Sequence, residues 1–339
     1  MAKPAQAMAN LARGVLGAGI FIAVAGCGAG SPTGVSGAPE VSEAPPSPPP
    51  VPIEAFDATR AWRDLERICG FGERPAGSSG IEKLRVFLEE ELTKIGLQPV
   101  RESFTAETPR GPVSFSNLVA DLPGPEGVDP ICILSAHIDT KWGMPFRFVG
   151  ANDGGSQTTV LLELARQLAA HRDKLRIGYR FVFFDGEEAV RPNWEGEDNC
   201  YGSRHHVKEL QKSGLATRIK ACVLLDMVGD ADLKLTMEQN SEMMLMASFL
   251  GAASRIGLEQ HIGGRAMALL DDHIPFREAG IPAVNLIDFD FGPNNSYWHT
   301  ADDTLDKCSR ESLQAIGRIV LAGLPNVEDL VLDERRPAR

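Results

Sequence analysis

Apolar and polar residues alternate along this chain in blocks that switch between a helical and a strand period. In "SSGIEKLRVFLEEELTKIG" the apolar residues recur at helical spacing, Ser78 or Ser79 can cap the start, and Gly96 follows the end. In "ICILSAHID" and "IGYRFVFFD" the apolar residues are nearly continuous, which is typical of strands buried on both faces. The pattern therefore predicts strands that alternate with helices.

The predicted strands lie near residues 98–106 and 115–121 and in "ICILSAHID", "IGYRFVFFD", "KACVLLDMVGD" and "PAVNLID". The predicted helices are "DATRAWRDLERI", "SSGIEKLRVFLEEELTKIG", "GSQTTVLLELARQLAAH", "SRHHVKELQKSG", "SEMMLMASFLGAASRIG" and "SRESLQAIGRIVLAGLPNVEDLVL". Such an alternation predicts an α/β fold with a mixed, mostly parallel sheet covered by helices on both faces. Because no repeat or second linker interrupts it, we expect residues 54–335 to form a single domain.

The N-terminal segment has a different character. Lys3 and Arg13 precede an apolar stretch that ends in "VAGC". This pattern predicts a secretory signal over residues 1–26. This ending resembles a bacterial lipoprotein lipobox, which implies cleavage before Cys27 and lipid on its sulfur; a plain secretion signal or a short membrane anchor is the alternative. Residues 27–53 are rich in Pro, Ser and Gly and predict a disordered tether. We therefore expect an exported protein, lipid-anchored at the cell envelope on its periplasmic or extracellular face.

Composition narrows the range of partners. Of the 339 residues 43% are hydrophobic and 24% charged, which is ordinary for a globular protein. The net charge of -12, without a basic cluster, argues against nucleic acid as a partner. Cys132 and Cys222 lie in strand-like blocks and are predicted to be buried thiols. Spacing does not decide whether a disulfide forms among the cysteines after the tether, which are Cys69, Cys132, Cys200, Cys222 and Cys308.

Acidic and histidine residues follow several of the predicted strands. Taken alone, such an Asp is most often a cap or turn residue, and such a His a surface or satisfied core residue. That interpretation is kept for Asp302, Asp303, His171, His205, His206 and His261. In sheets of this kind ligands bind at the carboxyl ends of the strands, and converging oxygen and imidazole groups there suit zinc. The converging residues are His137, Asp139, Asp153, Asp185, Glu187, Glu188, Asp226, Asp271, Asp272, His273 and His299.

The adjacent acids Glu187 and Glu188 fit such a zinc site. One carboxylate of the pair can bind the cation, while the other remains unligated and moves protons. The charge of the metal offsets the repulsion between the two acids.

The motifs "SAHIDTKW", "FVGANDGGS", "FFDGEEA", "YGSRHH", "LLDMVGD", "DDHIPFREAGIPAV" and "YWHTADDT" resemble, in order, those of the glutaminyl-peptide cyclotransferases (glutaminyl cyclases). These enzymes share a superfamily with zinc aminopeptidases that include bacterial leucyl aminopeptidase. The resemblance runs from about Phe71 to Leu305. It implies a three-layer α/β/α sandwich with a central mixed sheet and a zinc-dependent catalytic domain.

Position by position, the resemblance implies the following roles. Asp153, Glu188 and His299 would bind zinc, and Glu187 would be the general acid and base. Asp226 and Asp271 would orient and stabilise the reacting groups, with Asp271 placed to hydrogen-bond Asp226. The substrate pocket would be lined by Trp298, Trp194, Leu269 and Phe291.

The implied reaction is cyclisation of an N-terminal glutamine of a peptide or protein to pyroglutamate, with release of ammonia. The alternative is hydrolysis of N-terminal residues, because two-zinc aminopeptidases use a second ligand set that His137, Asp153 and Asp226 would supply here. One zinc is expected and two are compatible with the residues present. A catalytically silent relative would usually have lost the acid/base or a ligand, and neither is lost in this chain.

Overall fold

The computed structural model describes residues 51–194 and 196–333, and their elements follow the predicted alternation. The strands are β1 Val100–Thr108, β2 Gly111–Leu122, β3 Ile131–His137, β4 Gly178–Phe184, β5 Ile219–Asp226, β6 Leu235–Glu238, β7 Ile262–Met267 and β8 Ala283–Ile287. The helices are α1 Ala58–Gly70, α2 Ser79–Lys94, α3 Gln157–Ala170, α4 Tyr201–Ser213, α5 Met243–Arg255, α6 His273–Glu278 and α7 Arg310–Leu332. All of them belong to one compact unit.

The main sheet has six strands in the order β1-β2-β4-β3-β5-β8. The hairpin β1–β2 is antiparallel and joins β4 antiparallel, whereas β4, β3, β5 and β8 run parallel to one another. The predicted mixed, mostly parallel sheet is thereby confirmed. Because the four central strands are parallel, their carboxyl ends meet at one edge, and the loops that follow them come together there.

Alternating residues of each central strand enter two separate cores. In β3, Cys132 and Leu134 belong to the larger core, which includes residues of α1, α2, α3, α5 and α7, while Ile133 belongs to the smaller core with residues of α4 and α6. This alternation follows from the period of two along a strand. Helices thus cover both faces, and the arrangement is the expected three-layer α/β/α sandwich.

Three short elements were not predicted from the sequence. Strands β6 and β7 form a separate parallel pair, and the segment beginning at His273, predicted as a loop, forms the short helix α6. Each is too short to establish a hydrophobic period. Glycines in β7 and Pro275 in α6 further obscure the pattern. Residues 268–271, between β7 and α6, line the cleft described below.

The folded part begins slightly earlier than predicted. Val51, assigned to the tether, is 1% exposed and packs in the larger core, and Ile53 packs against the same core. The predicted signal peptide and the lipidation site Cys27 lie outside the described residues. Within residues 51–333, apart from 195, no helix is both long and apolar enough to cross a membrane.

The described cysteines are free and buried, as predicted for Cys132 and Cys222. The sequence did not decide whether two of these five cysteines form a disulfide. In the structure each of the five thiols is unpaired and buried.

Candidate metal centre and cleft

The carboxyl edge of the sheet gathers the predicted acids and histidines. His137 is the last residue of β3 and Asp226 the last of β5, while Glu187 and Glu188 lie on the loop after β4. All four are at most 6% exposed. The backbone N–H groups of Glu187 and Glu188 donate to Asp139 Oδ1 and Oδ2 over 3.1 and 3.3 Å. Asp139 therefore fixes the turn that presents both glutamates.

Asp153 lies on a kinked helical turn, Ala151–Ser156, that leads into α3. The kink requires Gly154, whose φ is 92°, and a Cβ at that position would lie 2.5 Å from the carbonyl oxygen of Asp139. Asp303 accepts the backbone N–H groups of Asn152 and Asp153 over 2.7 and 3.1 Å. The kink and this clamp direct the Asp153 carboxylate toward the sheet edge.

Asp153, Glu188 and His299 converge on one point. His299 Nε2 lies 2.9 Å from Glu188 Oε1 and 3.2 Å from Asp153 Oδ2. One ligand atom from each residue lies within 4.8 Å of the other two. The His299 ring is held by stacking on Trp298, at 4.1 Å between centroids, and by an edge contact with Phe148 at 5.9 Å. The structure thus brings together the three predicted zinc ligands.

A second ligand set shares Asp153. His137 Nε2 lies 3.1 Å from Asp226 Oδ1 and 3.2 Å from Asp153 Oδ1. These three residues also offer ligand atoms within 4.8 Å of one another. Both sets named from the sequence are therefore assembled around the same bridging aspartate.

The charges in the first set are strongly coupled. Burial opposes protonation of His299, but the neighbouring carboxylates of Glu188 and Asp153 outweigh it and raise the His299 pKa to about 10. Burial also opposes ionisation of Asp153, yet the two imidazoles of His137 and His299 hold its pKa below the usual range. The carboxylates are thus arranged to stabilise positive charge at this point. A bound cation would supply that charge in place of the imidazole proton.

Glu187 projects into the same space without belonging to either ligand set. Its pKa is raised well above the usual value because the carboxyl is buried, and the charges of Glu188 and Asp271 add to the effect. The His137 imidazole partly opposes this shift. A carboxyl group with a raised pKa is suited to take up and release a proton near neutral pH.

Asp271 and Asp226 each accept hydrogen bonds from other side chains. Asp271 accepts a hydrogen bond from Asn285 Nδ2 over 2.6 Å and another from the backbone N–H of Asp272. Asp226 accepts from Gln157 Nε2 over 3.0 Å. Between the two aspartates the described interaction is repulsive: burial and the charge of Asp226 raise the pKa of Asp271 to about 7. Each carboxylate thus has a partner of its own, and the hydrogen bond expected between the two aspartates stays a prediction.

These residues open into a cleft of about 440 Å³. Its walls are largely apolar, and three of the four predicted pocket residues, Trp194, Leu269 and Trp298, lie on them. Phe291 does not reach the cleft surface; it is fully buried and packs with Met227 and Ile287 behind the wall. The lining residues are Asp153, Glu187, Glu188, Pro192, Asn193, Trp194, Asp226, Met227, Ala268, Leu269, Leu270, Asp271, Ile287, Phe289, Trp298 and His299.

Sequence reasoning missed several supporting residues. Asp303 was interpreted as capping or solvating a turn, but it is 1% exposed and clamps the Asp153 backbone, so that prediction was wrong. Lys141 is nearly buried, with Nζ 3.3 Å from Glu188 Oε2. The fully buried Arg74 donates to the carbonyl oxygens of Val149 and Gly150 over 2.6 and 2.9 Å. All three act on partners far away in sequence, which no local pattern reveals.

The histidines interpreted as structural lie away from this centre. His206 Nδ1 lies 3.0 Å from a carboxylate oxygen of Glu102, and His205 stacks on Phe104. His273, by contrast, packs behind the cleft wall, with Nε2 3.2 Å from Glu238 Oε2. Glu238 in turn accepts the backbone N–H of Leu269 over 3.0 Å, so this pair supports a cleft residue.

The donor set fits a zinc ion. Two carboxylates and one imidazole, with room beside them for substrate, are the ligands of catalytic zinc sites. Glu188 Oε2 is a buried oxygen that accepts no hydrogen bond; its near neighbour is Lys141 Nζ at 3.3 Å, and a cation bound beside Glu188 would add a partner for this carboxylate. Asp153, Glu188 and His299 would hold the ion.

Comparison with known proteins agrees with this geometry. Residues 117–324 match the model of peptidase family M28. The glutaminyl-peptide cyclotransferase-like protein of Mus musculus is 32% identical over 275 residues, which cover 73% of this chain and 70% of that protein.

Solved structures extend the similarity to the fold. Glutaminyl cyclase from an Acidobacteriales bacterium is 33% identical, with a TM-score of 0.76, covering 86% of this chain and 99% of that chain. A Zn-dependent exopeptidase from Parabacteroides distasonis is 25% identical, with a TM-score of 0.71, covering 78% of this chain and 97% of that chain. The family and these neighbours indicate a zinc cofactor. On its sequence, its fold and its ligand set, the chain belongs to peptidase family M28, among the relatives of the glutaminyl-peptide cyclotransferases.

Proposed function

We propose that the protein is a zinc-dependent glutaminyl cyclase that converts the N-terminal glutamine of peptides or proteins to pyroglutamate and releases ammonia. The observation that carries the proposal is the position of Glu187. It is buried, lies outside both ligand sets, and opens with Glu188 onto one apolar cleft. The relatives named as glutaminyl cyclases support this choice of reaction.

The chemistry divides among the residues of the cleft. Zinc bound by Asp153, Glu188 and His299 would act as a Lewis acid toward the side-chain amide of the substrate. Glu187 takes a proton from the substrate α-amine as its nitrogen attacks the side-chain amide carbon. A C–N bond forms, the bond from that carbon to the amide nitrogen breaks, and Glu187 delivers the proton to the departing ammonia. No proton or atom is left over.

Asp226 and Asp271 lie on the same cleft surface and are suited to orient the substrate. As carboxylates they can accept hydrogen bonds from an amine or an amide N–H group. Trp298 and Trp194 supply flat apolar surfaces on which the aliphatic part of a glutamine side chain can pack. Such apolar walls also exclude water, which would otherwise compete as nucleophile.

Zinc aminopeptidase activity is the second candidate. It is favoured by the assembly of His137, Asp153 and Asp226, which form the ligand set for a second ion. We propose a single zinc as the catalytic state.

The two functions are separated by one experiment. Purified protein is incubated with a glutamine-initiated peptide and, separately, with a leucine-initiated peptide, and both are followed by mass spectrometry. We expect the first peptide to lose the mass of one ammonia and the second to stay intact. Release of a free amino acid from either peptide would instead identify a peptidase.

For the N-terminal segment we propose export and lipid attachment at Cys27, on the strength of "VAGC" and of the Pro-rich residues after it. The lipid would place the enzyme at the cell envelope. The Cys27→Ser variant should move from the membrane fraction to the soluble fraction, and an unchanged distribution would contradict the lipid anchor.

A further inference from the structure

Gln157, the first residue of α3, has no role in the proposed reaction, yet it is fully buried beside the metal centre. It follows the turn that carries Asp153. A buried primary amide normally satisfies both its N–H groups and its carbonyl oxygen. Its partners therefore indicate what it holds in place.

The amide of Gln157 links two successive residues of one strand end. Its Nε2 donates to Asp226 Oδ1 over 3.0 Å, and its Oε1 accepts the backbone N–H of Met227 over 3.3 Å. Because a backbone N–H can only donate, the atom that faces Met227 must be Oε1, and the opposite end of the amide is the N–H end that faces Asp226.

The backbone conformation of Met227 shows why these hydrogen bonds are needed. Its φ is +49°, in the left-handed region that a non-glycine residue seldom adopts. Such a conformation persists where surrounding contacts hold it. Gln157 holds the N–H of this residue and the carboxylate just before it, so it fixes the direction in which Asp226 projects.

The same carboxylate oxygen has a second partner. His137 Nε2 lies 3.1 Å from Asp226 Oδ1. A carboxylate oxygen has two lone pairs, and here Gln157 and His137 are directed at them. Yet His137 and Asp226 are two of the three residues in the second ligand set. A second ion bound through Asp226 Oδ1 would have to displace one of these partners.

We infer that Gln157 is a positioning residue that keeps Asp226 as a hydrogen-bonding group for the substrate and disfavours a second metal at His137, Asp153 and Asp226. Because Gln157 and His137 occupy Oδ1, Oδ2 is the oxygen left to accept from a substrate amine in the cleft, whose wall includes Asp226. This inference rests on the proposed cyclase function. It names the residue of this chain that selects one metal instead of two.

The test compares Gln157→Leu with a matched control, Gln167→Leu. Gln167 lies on the same helix, is also buried, and donates to Glu163 away from the cleft. Each metal-free protein is equilibrated with excess zinc, freed of unbound metal, and analysed for zinc per molecule. We expect one zinc in the parent protein and in Gln167→Leu, and a second zinc in Gln157→Leu.

A second measurement determines KM and kcat of each variant with a glutamine-initiated peptide. Loss of the Gln157 amide should raise KM about 10-fold with little change in kcat, since it loosens a substrate-orienting carboxylate without altering Glu187. A general loss of packing would instead affect both glutamine variants, which thermal melting monitors. If Gln157→Leu does not fold, Gln157→Gly takes its place.

Two outcomes overturn the inference: two zincs already bound in the parent protein, or one zinc and an unchanged KM in the Gln157 variant. The zinc count needs no substrate, so it decides the inference even if the parent protein proves unable to cyclise peptides. A parent that releases amino acids while binding one zinc contradicts the proposed function but leaves the metal-selecting role of Gln157 supported.

Discussion

Two pairs of adjacent acids lie at the carboxyl edge of the sheet and differ in what surrounds them. In the first pair, Glu187 and Glu188, the second residue contacts basic side chains: His299 Nε2 lies 2.9 Å and Lys141 Nζ 3.3 Å from the Glu188 carboxylate. The other pair, Asp271 and Asp272, faces neutral donors instead.

In that second pair, Asn285 donates to Asp271 and Ser203 donates to Asp272. Both pairs are almost fully buried, so burial does not distinguish them. The partners do: Glu188 of the first pair is placed to bind a cation, whereas the second pair is placed to retain a proton.

The pKa values follow this division. Burial, together with the charge of Asp226, raises the pKa of Asp271 to about 7, and burial together with Asp271 raises that of Asp272 to about 8. At neutral pH the aspartate pair therefore holds about one proton, which lessens the repulsion between its members. In the glutamate pair a metal would provide the compensating charge. Removing that metal should therefore affect the glutamate pair more than the aspartate pair.

The largest effect is expected from His299→Ala, which removes the imidazole from the glutamate pair and its metal. Two carboxylates alone make a poor zinc site, so bound zinc and cyclisation should both be lost. Elemental analysis of the purified variant measures the metal. Zinc content equal to that of the parent protein would show that the ligand set is wrong.

Glu187→Gln should separate the functions within the first pair. The substitution keeps the size of the side chain but removes its ability to carry a proton, so kcat should fall by about 10²–10⁴-fold while zinc remains bound. The exposed Glu126→Gln serves as the matched control and should leave kcat unchanged. Retention of most activity in Glu187→Gln would falsify its assignment as acid and base.

Sequence patterns were sufficient for the central strands and for the residues at their ends. The solidly apolar blocks that became β3, β4 and β5 each predict a buried strand, and a parallel sheet then places His137 and Asp226 together. The pairing of Glu188 with His299 came from the family resemblance, because those residues are far apart in sequence.

The supporting contacts were not predictable, for a physical reason. An Asp in a polar loop, such as Asp303, looks like an ordinary cap, and only the folded chain brings it to the backbone of Asp153. Gln157 likewise fits the polar start of a helix, although its amide reaches Asp226. The family resemblance implied that Phe291 lines the pocket, but its side chain is buried against Met227 and Ile287. Local patterns specify which residues are polar, whereas partners depend on tertiary structure.

A smaller effect on turnover is expected from Asp271→Asn in the aspartate pair. The amide keeps a hydrogen-bonding oxygen but removes a charge from the cleft, so cyclisation should fall by about 10-fold with zinc content unchanged. The ratio of kcat to KM for a glutamine-initiated peptide measures this change. A loss as large as that of Glu187→Gln would contradict the difference drawn between the two pairs.

The smallest effect, on stability, is expected from Asp272→Asn. Its folded-state pKa of about 8 lies above the value of about 4 for an exposed Asp, so the folded protein binds a proton more tightly between those pH values. The free energy of unfolding of the parent protein should therefore fall as pH rises through this window. Asp272→Asn has no such proton to lose, and its decline should be shallower by at most about 1.4 kcal/mol per pH unit.

Urea unfolding at several pH values between 5 and 8, with equal zinc in both samples, measures the two slopes. Ser203→Ala provides a matched comparison, because it removes the donor to Asp272 but leaves the titrating group in place. It should steepen the decline only near pH 8, since a lost donor to the carboxylate raises the pKa of Asp272 further and keeps the folded protein protonated there. Parallel slopes for the parent and Asp272→Asn would mean that this carboxyl is already ionised at neutral pH, and that the aspartate pair, like the glutamates, depends on a nearby positive charge.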